Sequence, residues 1–367
     1  MFPFSSSSSS SPLLPTLLLF LLSLPVLFLL APRILPPRPL PPISLPDDLD
    51  DLALFRRAAA ADTPPPHPHR RPSAKTRLGS TNPRPPKIAF LFLTNSDLHF
   101  APLWQRFFAN GSTALYNVYV HADPTVSISP PGGVFTGRFI PAKRTRRASA
   151  SLISASRRLL AHALLDDPHN AFFALLSQHC VPLHSFAYLY NTIFHHSIPE
   201  LTRLRKLQHR SFIEILSQQS FLWKRYVARG KYVMLPEVRF DQFRIGSQFF
   251  ILARRHAVLV VGERRLWRKF QLPCLDTESC YPEEHYFPTL LSMEDPDGCT
   301  KYTLTRVNWT GSTDGHPYMY RRPEVSPQLI YNLRQSNFSP SYLFARKFSP
   351  DCLDPLLDIS DSVIFRD

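Results

Sequence analysis

Two adjacent glutamates, Glu283 and Glu284, stand in the stretch CYPEEHYFPTLLSM, between Pro282 and the aromatic residues Tyr286 and Phe287. A carboxylate can take a proton from a reacting hydroxyl that lies within hydrogen-bond reach, so this pair is a candidate general base. The alternative is structural, because Pro282 suits the first position of a helix and acids beside it complement the helix dipole. The stretch alone leaves both interpretations open.

Two literal D-x-D strings raise the question of a divalent metal, at Asp48–Asp50 and at Asp295–Asp297. The first lies in a proline-rich segment and the second in the turn EDPDG. Two acids in such a turn are more often solvated loop residues than magnesium ligands, and no C-x-x-C pair suggests zinc. There is also no G-x-G-x-x-G and no Walker motif. We therefore expect neither a metal nor a bound cofactor.

The chain is strongly basic, with 42 Lys and Arg against 28 Asp and Glu among 367 residues, a net charge of +14. Such a balance suits an anionic partner, whether a phosphate, a carboxylate, a membrane face or a nucleic acid. The densest basic run is KRTRR, from Lys143 to Arg147. No nucleic-acid-binding signature accompanies the charge, so a nucleic-acid partner is not expected.

The N-terminal part differs from the rest, since half of the 38 prolines fall within residues 1–86. Residues 1–11 form a short serine-rich tail, and residues 12–31 are apolar and uncharged, long enough to cross a bilayer. A cleaved signal peptide is the alternative, but no basic segment precedes the run, so we expect an uncleaved anchor in the lipid bilayer. Residues 32–86 have the composition of an extended stalk, although a short helix around residues 50–61 is an alternative.

The orientation of this anchor receives conflicting signals. The first basic residue, Arg33, follows the apolar run, which by the positive-inside rule favours a cytosolic C-terminal part. Three glycosylation sequons, at Asn110, Asn308 and Asn337, favour a lumenal one. The five cysteines agree with the lumenal side, and their number suggests two disulfides and one free thiol.

Residues 87–367 alternate between buried strands and helices. KIAFLFLT, YNVYVHAD and AFFALLSQHC are strand patterns, and helical patterns follow each of them, including ASASLISASRRLLAHALLDD with Arg157 and Arg158 off its apolar face. This alternation predicts an α/β fold with a mainly parallel central sheet and flanking helices. Ligands bind beyond the carboxyl ends of such strands, where His121 and Asp123 stand. Gly246 and Ser247, in RIGSQFF, are typical of a close-approach turn before a strand.

Six ordered blocks, VYVHADP, LLSQHCVPLHSF, WKRY, MLPEVRFDQFRIGSQFF, YPEEHYFPTLL and YLFARKFSP, resemble the plant branch of the core-2/I-branching beta-1,6-N-acetylglucosaminyltransferase family (glycosyltransferase family 14). The resemblance covers roughly residues 87–357. It implies a GT-A-like fold in a type II Golgi membrane protein with a lumenal catalytic domain. It also implies inverting transfer from a UDP-sugar without the usual metal-holding D-x-D.

The resemblance assigns chemistry to the glutamate pair and to the end of the second strand. It makes Glu284 the base and leaves Glu283 the helical first-turn role. His121 and Asp123 match nucleotide-reading positions, although Asp123 could simply begin a turn.

The implied diphosphate site departs from the family pattern. Lys347 matches a lysine that neutralises the donor diphosphate. Tyr318, however, occupies the column of the partner arginine, which Arg321 or Arg322 would have to replace.

The implied acceptor side is formed by Trp309, unless it is a core residue, and by Glu237, Lys224 and Arg225. The expected function is transfer of a sugar, N-acetylglucosamine by default, from a UDP donor to a hydroxyl of a glycan or glycoprotein. Xylose or glucuronic acid are alternatives, since relatives transfer them. A membrane-anchored glycan-binding or scaffold protein with impaired catalysis is the second hypothesis, and it is motivated by Tyr318.

Overall fold

The computed structural model describes residues 22–25, 49–61, 85–196, 209–312, 315–338 and 340–367. The chain divides into two units, Met1–Ser44 and Leu45–Asp367. Of the first unit only residues 22–25 are described, and they are helical. No helix within the described ranges has the length and apolar character that crossing a membrane requires. The anchor predicted for residues 12–31 lies almost wholly outside the described residues.

The second unit is an α/β domain built on two sheets. Its strands are β1 (Lys87–Thr94), β2 (Tyr116–Ala122), β3 (Asn170–Ser177), β4 (Val181–Pro182), β5 (Ser211–Glu214), β6 (Ile251–Ala253), β7 (Cys299–Lys301), β8 (Thr305–Val307) and β9 (Phe344–Arg346). Its described α-helices are α1 (Leu49–Ala61), α2 (Ala101–Ala109), α3 (Ala150–Asp166), α4 (Phe186–His196), α5 (Leu222–Tyr226), α6 (Arg254–Gly262), α7 (Arg265–Phe270), α8 (Tyr286–Glu294), α9 (Pro327–Arg334) and α10 (Leu353–Asp358).

The larger sheet has the strand order β2-β1-β3-β6-β5-β7. β1 pairs in parallel with β2 and β3, and β5 pairs in parallel with β7, while β6 is antiparallel to both of its neighbours. The expected mainly parallel sheet is thus confirmed, with β6 as its reversed strand. The smaller sheet has the order β4-β9-β8, with β9 antiparallel to β4 and parallel to β8.

Strand β1 explains why its sequence is continuously apolar. Ile88, Phe90 and Phe92 pack into one hydrophobic core, and the alternate residues Ala89 and Leu91 pack into a second core. Because successive side chains of a strand point to opposite faces, packing on both faces of the sheet requires apolar residues at every position.

Helix α1 interrupts the segment that composition assigned to a stalk. Phe55 and Ala58 are buried in the second core, and Asp51 forms a buried ion pair with Arg158 of α3. The stalk predicted for residues 32–86 therefore does not include residues 49–61, which belong to the folded unit.

The same packing corrects the prediction of which side chains of α3 are exposed. Arg157 and Arg158 were expected off the apolar face, but they are 1% and 3% exposed. Helix α1 covers them: Asp51 pairs with Arg158, and the guanidinium of Arg157 lies 4.3 Å from the centroid of the Phe55 ring.

The cysteine count also needs correction. Cys274 and Cys280 form a disulfide, whereas Cys180, Cys299 and Cys352 are buried free thiols. The expected second disulfide is wrong, and Cys299 packs in the second core, away from the first core that contains the other two thiols.

Candidate active site

The carboxyl ends of the parallel strands bring polar side chains to one edge of the sheet. Thr94 of β1 pairs with Ala122 of β2, and Leu93 pairs with Ser177 of β3, so the three strands end together. Strand β5 runs in the same direction as β3, because both are antiparallel to β6. It ends at Glu214. This edge is where an α/β sheet places its ligands.

Asp123 uses its side chain to position the basic loop Lys143–Arg147. Both carboxylate oxygens accept hydrogen bonds, one from Thr125 and the other from the amide and hydroxyl of Thr145 at 2.7 and 2.6 Å. Burial raises the pKa of Asp123, but these hydrogen bonds outweigh it and lower the pKa to about 2.

His121 takes part in the same attachment. Its Nε2 accepts a hydrogen bond from the amide of Lys143 at 3.3 Å, and burial lowers its pKa to about 4, which keeps the ring neutral. The turn-forming role considered for Asp123 is present in the structure through its bonds to Thr125. Contact of either residue with a nucleotide stays a prediction.

Glu284 ends a short 3-10 turn, Pro282–Glu284, that is fixed from several sides. The disulfide Cys274–Cys280 ends two residues before the turn begins, and Tyr281 between them adopts the left-handed conformation with φ of 39°. His285 is fully buried, with its ring centroid 4.5 Å from that of Phe243. The backbone of Glu284 therefore has little freedom, while its carboxylate remains partly exposed and pairs with Arg225 of α5.

Gly246 completes this support by a close approach of two backbones. Its amide donates a hydrogen bond to the Glu284 carbonyl at 2.9 Å. A Cβ at this position would lie 1.9 Å from the Glu214 carbonyl oxygen, so no side chain fits there. The close-approach turn predicted at Gly246 and Ser247 is confirmed.

Glu283 binds the residue that follows the basic loop. Its Oε1 accepts a hydrogen bond from the amide of Ala148 at 2.9 Å, and its side chain is buried. Burial raises the pKa of Glu283 to about 7, helped by the neighbouring charge of Glu284. This glutamate thus connects two segments of the site.

The raised pKa of Glu283 gives a prediction on pH. The unfolded carboxyl has the lower pKa, so the folded protein holds this proton more tightly and loses stability as the pH rises from about 4.5 to about 7. In the wild type we expect the free energy of unfolding to fall by on the order of 3 kcal/mol across this window. Glu283→Gln, which keeps an acceptor for the Ala148 amide, is expected to abolish this fall. Urea unfolding of both proteins below about pH 4.5 and above about pH 7 measures the change in the free energy of unfolding.

The control for that measurement is Glu278→Gln, which removes the same charge from an exposed position shortly before the turn. Its unfolding is expected to keep the pH dependence of the wild type. Equal pH dependence in the wild type and Glu283→Gln would contradict the assignment.

Glu214 is a site residue that the sequence reasoning missed. It is partly buried at the end of β5 and accepts a hydrogen bond from the amide of Ser247 at 3.0 Å. Burial raises its pKa, and the nearby charge of Glu284 adds to the effect. The apolar run SFIEIL, interrupted by one acid, was the signal that could have revealed it.

A basic groove with a volume of about 520 Å³ lies at the end of β9. Its lining includes His316, Tyr318, Arg321 and Lys347. Lys347 follows β9, and the next residue, Phe348, donates its amide to the carbonyl of His179 at 3.1 Å, which attaches this segment to the end of β3. The groove therefore opens at the same edge of the sheet.

The two arginines proposed to replace the missing one differ in their surroundings. Arg321 lines the groove and donates a hydrogen bond to the Ser349 hydroxyl at 3.2 Å. Arg322 instead pairs with Asp354 at 3.3 Å and is absent from the groove lining. Tyr318 turns its hydroxyl to Glu324 at 2.7 Å.

The ring of Tyr281 links Glu284 to the groove. The guanidinium carbon of Arg225, the partner of Glu284, lies 4.6 Å from the ring centroid. That of Arg147 lies 5.6 Å from the same centroid, and Arg147 contacts His316 of the groove. One aromatic ring thus contacts both the partner of the carboxylate and a residue that reaches the cationic groove.

The remaining acceptor candidates differ in their partners and exposure. Trp309 is 54% exposed, so the alternative of a core tryptophan is wrong. Glu237 pairs with Lys269 at 2.9 Å, and the exposed Lys224 lies 4.0 Å from Asp276. Of this group, Arg225 is the residue that contacts Glu284.

Asp295 of the second D-x-D string has a structural use. It pairs with Arg255 and His256 and caps the following turn through the amide of Gly298. Among the described residues, no three His, Cys, Asp or Glu side chains are grouped as metal ligands.

Comparison with known proteins agrees with the resemblance. The sequence model of the core-2/I-branching enzyme family matches residues 88–334. The chain is also 28% identical over 331 residues to the glycosyltransferase BC10 of Oryza sativa subsp. japonica, covering 76% of this chain and 78% of the rice protein.

Proposed function

Because this chain belongs to the core-2/I-branching enzyme family and is a glycosyltransferase, we propose that it transfers a sugar with inversion from a UDP-sugar to a glycan hydroxyl. The observation that carries the proposal is that the Tyr281 ring contacts both Arg225, the partner of Glu284, and Arg147, which contacts His316 of the groove. An inverting displacement needs a base at the attacking hydroxyl and, close to it, separate stabilisation of the leaving group.

Glu284 is the proposed base. Its carboxylate is partly exposed at the carboxyl edge of the sheet, and Arg225 orients it. An acceptor hydroxyl within hydrogen-bond reach of this carboxylate would lose its proton as its oxygen attacks the anomeric carbon. The fixed turn, held by Gly246 and the buried His285, gives the base a defined position.

The donor diphosphate is proposed to bind in the groove, with Lys347 and Arg321 as cationic ligands. Positive side chains at this place stabilise the charge that develops on the departing UDP, which is the task a metal performs in other transferases. Metal independence is part of the proposal, and the use of Asp295 in an ion pair with Arg255 supports it. Arg322, paired with Asp354, is not assigned a ligand role.

The acceptor is proposed to be a glycan, on a polymer or a glycoprotein. The exposed ring of Trp309 can stack on a pyranose, and Arg225 is placed to contact a sugar beside Glu284. N-acetylglucosamine is the proposed donor sugar, on the family assignment alone, with xylose and glucuronic acid as alternatives.

The proposed location is the Golgi lumen, with residues 12–31 as the anchor of a single-pass type II protein. Asn110 and Asn337 are exposed, as glycan acceptors must be, while Asn308 is half-buried. Treatment with an endoglycosidase tests this proposal. An unchanged electrophoretic mobility of the protein from microsomes of plant cells would contradict a glycosylated lumenal domain.

The reaction is tested with the full-length chain in detergent, a panel of UDP-sugars and glycan acceptors, and EDTA throughout. We expect one donor to be consumed and its sugar to appear in the product with inverted anomeric configuration by NMR. Retained configuration, or turnover abolished by EDTA and restored by Mg²⁺, would contradict the proposal. Binding of a donor without turnover of any acceptor would favour the impaired, glycan-binding alternative.

A further inference from the structure

The basic loop Lys143–Arg147 is attached to the domain so that its last residue reaches the groove. Lys143 pairs with Asp51 of α1 at 3.2 Å, and Thr145 is bound by Asp123. Beyond these attachments, Arg147 places Nη1 2.6 Å from His316 Nε2 and donates from Nη2 to the Gly315 carbonyl at 2.8 Å. A residue 169 positions away in the sequence thus contacts the groove wall.

His316 lies between two cationic side chains. Its Nε2 faces Arg147, and its Nδ1 lies 3.4 Å from Nζ of Lys347. A neutral imidazole has one acceptor nitrogen and one N–H group, so it can accept a hydrogen bond from only one of these two protonated side chains. In either tautomer, the N–H group of the ring points at another hydrogen-bond donor. Protonation of the ring would add a third positive charge.

An anion would remove this conflict. A phosphate group that displaces the direct contacts of His316 can accept hydrogen bonds on its oxygens from Arg147, from an N–H of His316 and from Lys347. Within the described residues Arg147 makes no ion pair with a carboxylate. The charge of Arg147 acts on the nearby Glu283 and opposes the rise in the pKa of its carboxyl that burial causes, but that side chain is buried and bound to the amide of Ala148.

We propose that Arg147 and His316 bind the diphosphate of the nucleoside-diphosphate donor together with Lys347. Arg147 then adds a second guanidinium to that of Arg321, from the N-terminal half of the chain, at a site where the column of Tyr318 lacks one. A guanidinium suits this task because its planar N–H groups match two phosphate oxygens at once. The inference rests on the proposed function in naming the nucleotide, while the anion site itself rests on the three side chains.

The test measures binding to the full-length chain in detergent by isothermal titration calorimetry, with UDP and inorganic pyrophosphate as probes and no divalent metal. Loss of a hydrogen bond to a charged group is expected to weaken binding of both probes to Arg147→Gln by about 10- to 100-fold. Arg147→Lys, which keeps the charge but loses the paired contact, is expected to fall between.

The matched control is Arg146→Gln, an exposed neighbour in the same loop. Its affinity for both probes is expected to stay within about twofold of the wild type. Thermal unfolding of each variant confirms that it is folded.

The outcomes separate this inference from the proposed function. UDP affinity that is unchanged in a folded Arg147→Gln overturns the inference and leaves the UDP donor standing. Pyrophosphate binding that depends on Arg147, without binding of UDP, supports the anion site and contradicts the UDP donor. Equal losses in Arg146→Gln and Arg147→Gln would overturn the inference, since they would reflect only the net charge of the loop. A wild type that binds neither probe overturns both.

Discussion

Replacement of Glu284 by glutamine is expected to lower the rate of sugar transfer by about 10²- to 10⁴-fold, the usual contribution of a general base. The amide has nearly the same shape as the carboxylate and can still contact Arg225, but it cannot take the proton of the acceptor hydroxyl. Donor affinity is expected to change by less than about threefold, because other residues line the groove. Initial rates at saturating donor, together with calorimetric binding of UDP, measure the two effects separately.

The matched control is the adjacent variant Glu283→Gln. Glu283 is buried and binds the amide of Ala148, which a glutamine oxygen can also do. We expect this variant to keep its turnover within about tenfold of the wild type. A Glu284→Gln protein that retains more than a tenth of the wild-type rate would contradict the assignment of the base. So would a Glu283→Gln protein whose rate falls below a tenth of the wild-type rate.

Asp51→Ala is expected to lower the free energy of unfolding by about 3–5 kcal/mol, because it leaves the buried guanidinium of Arg158 without its carboxylate. Asp51 and Arg158 are each 3% exposed, so water cannot replace the lost partner. The same substitution removes an ion pair of Lys143, which attaches the basic loop. Urea unfolding of the purified wild type and variant measures the change.

Asp50→Ala is the control for this prediction, since Asp50 stands in the same first turn of α1 but is exposed. Its loss is expected to cost at most about 1 kcal/mol, the usual size of a helix-dipole interaction. If Asp51→Ala unfolds at the same urea concentration as Asp50→Ala, residues 49–61 do not contribute to the stability of the domain, and the stalk predicted for residues 32–86 would stand unbroken.

The parts of the fold that local pattern determines were predictable. Strand β1 was delimited at Lys87 and Thr94 because its apolar run is bounded by prolines on one side and Asn95 on the other. The close approach at Gly246 was predictable because a backbone that meets another backbone leaves room for glycine only.

Features that depend on distant partners were not predictable. Arg157 and Arg158 looked like surface residues because the helix that covers them lies in a segment with a stalk-like composition. The number of cysteines alone could not distinguish the Cys274–Cys280 disulfide from other possible pairings. Arg147 lay in a basic run noted only for its charge, and its contact with His316 joins two loops that no local pattern relates.

The most direct test of the central claim is the release of UDP from a panel of UDP-sugars by the full-length chain in the presence of EDTA and glycan acceptors. We predict that one UDP-sugar is turned over without metal and that the release falls by at least about 100-fold in Glu284→Gln. If no UDP-sugar is bound or turned over by the wild type, or if release is the same in the variant, Glu284 and the basic groove do not form the site proposed for this glycosyltransferase.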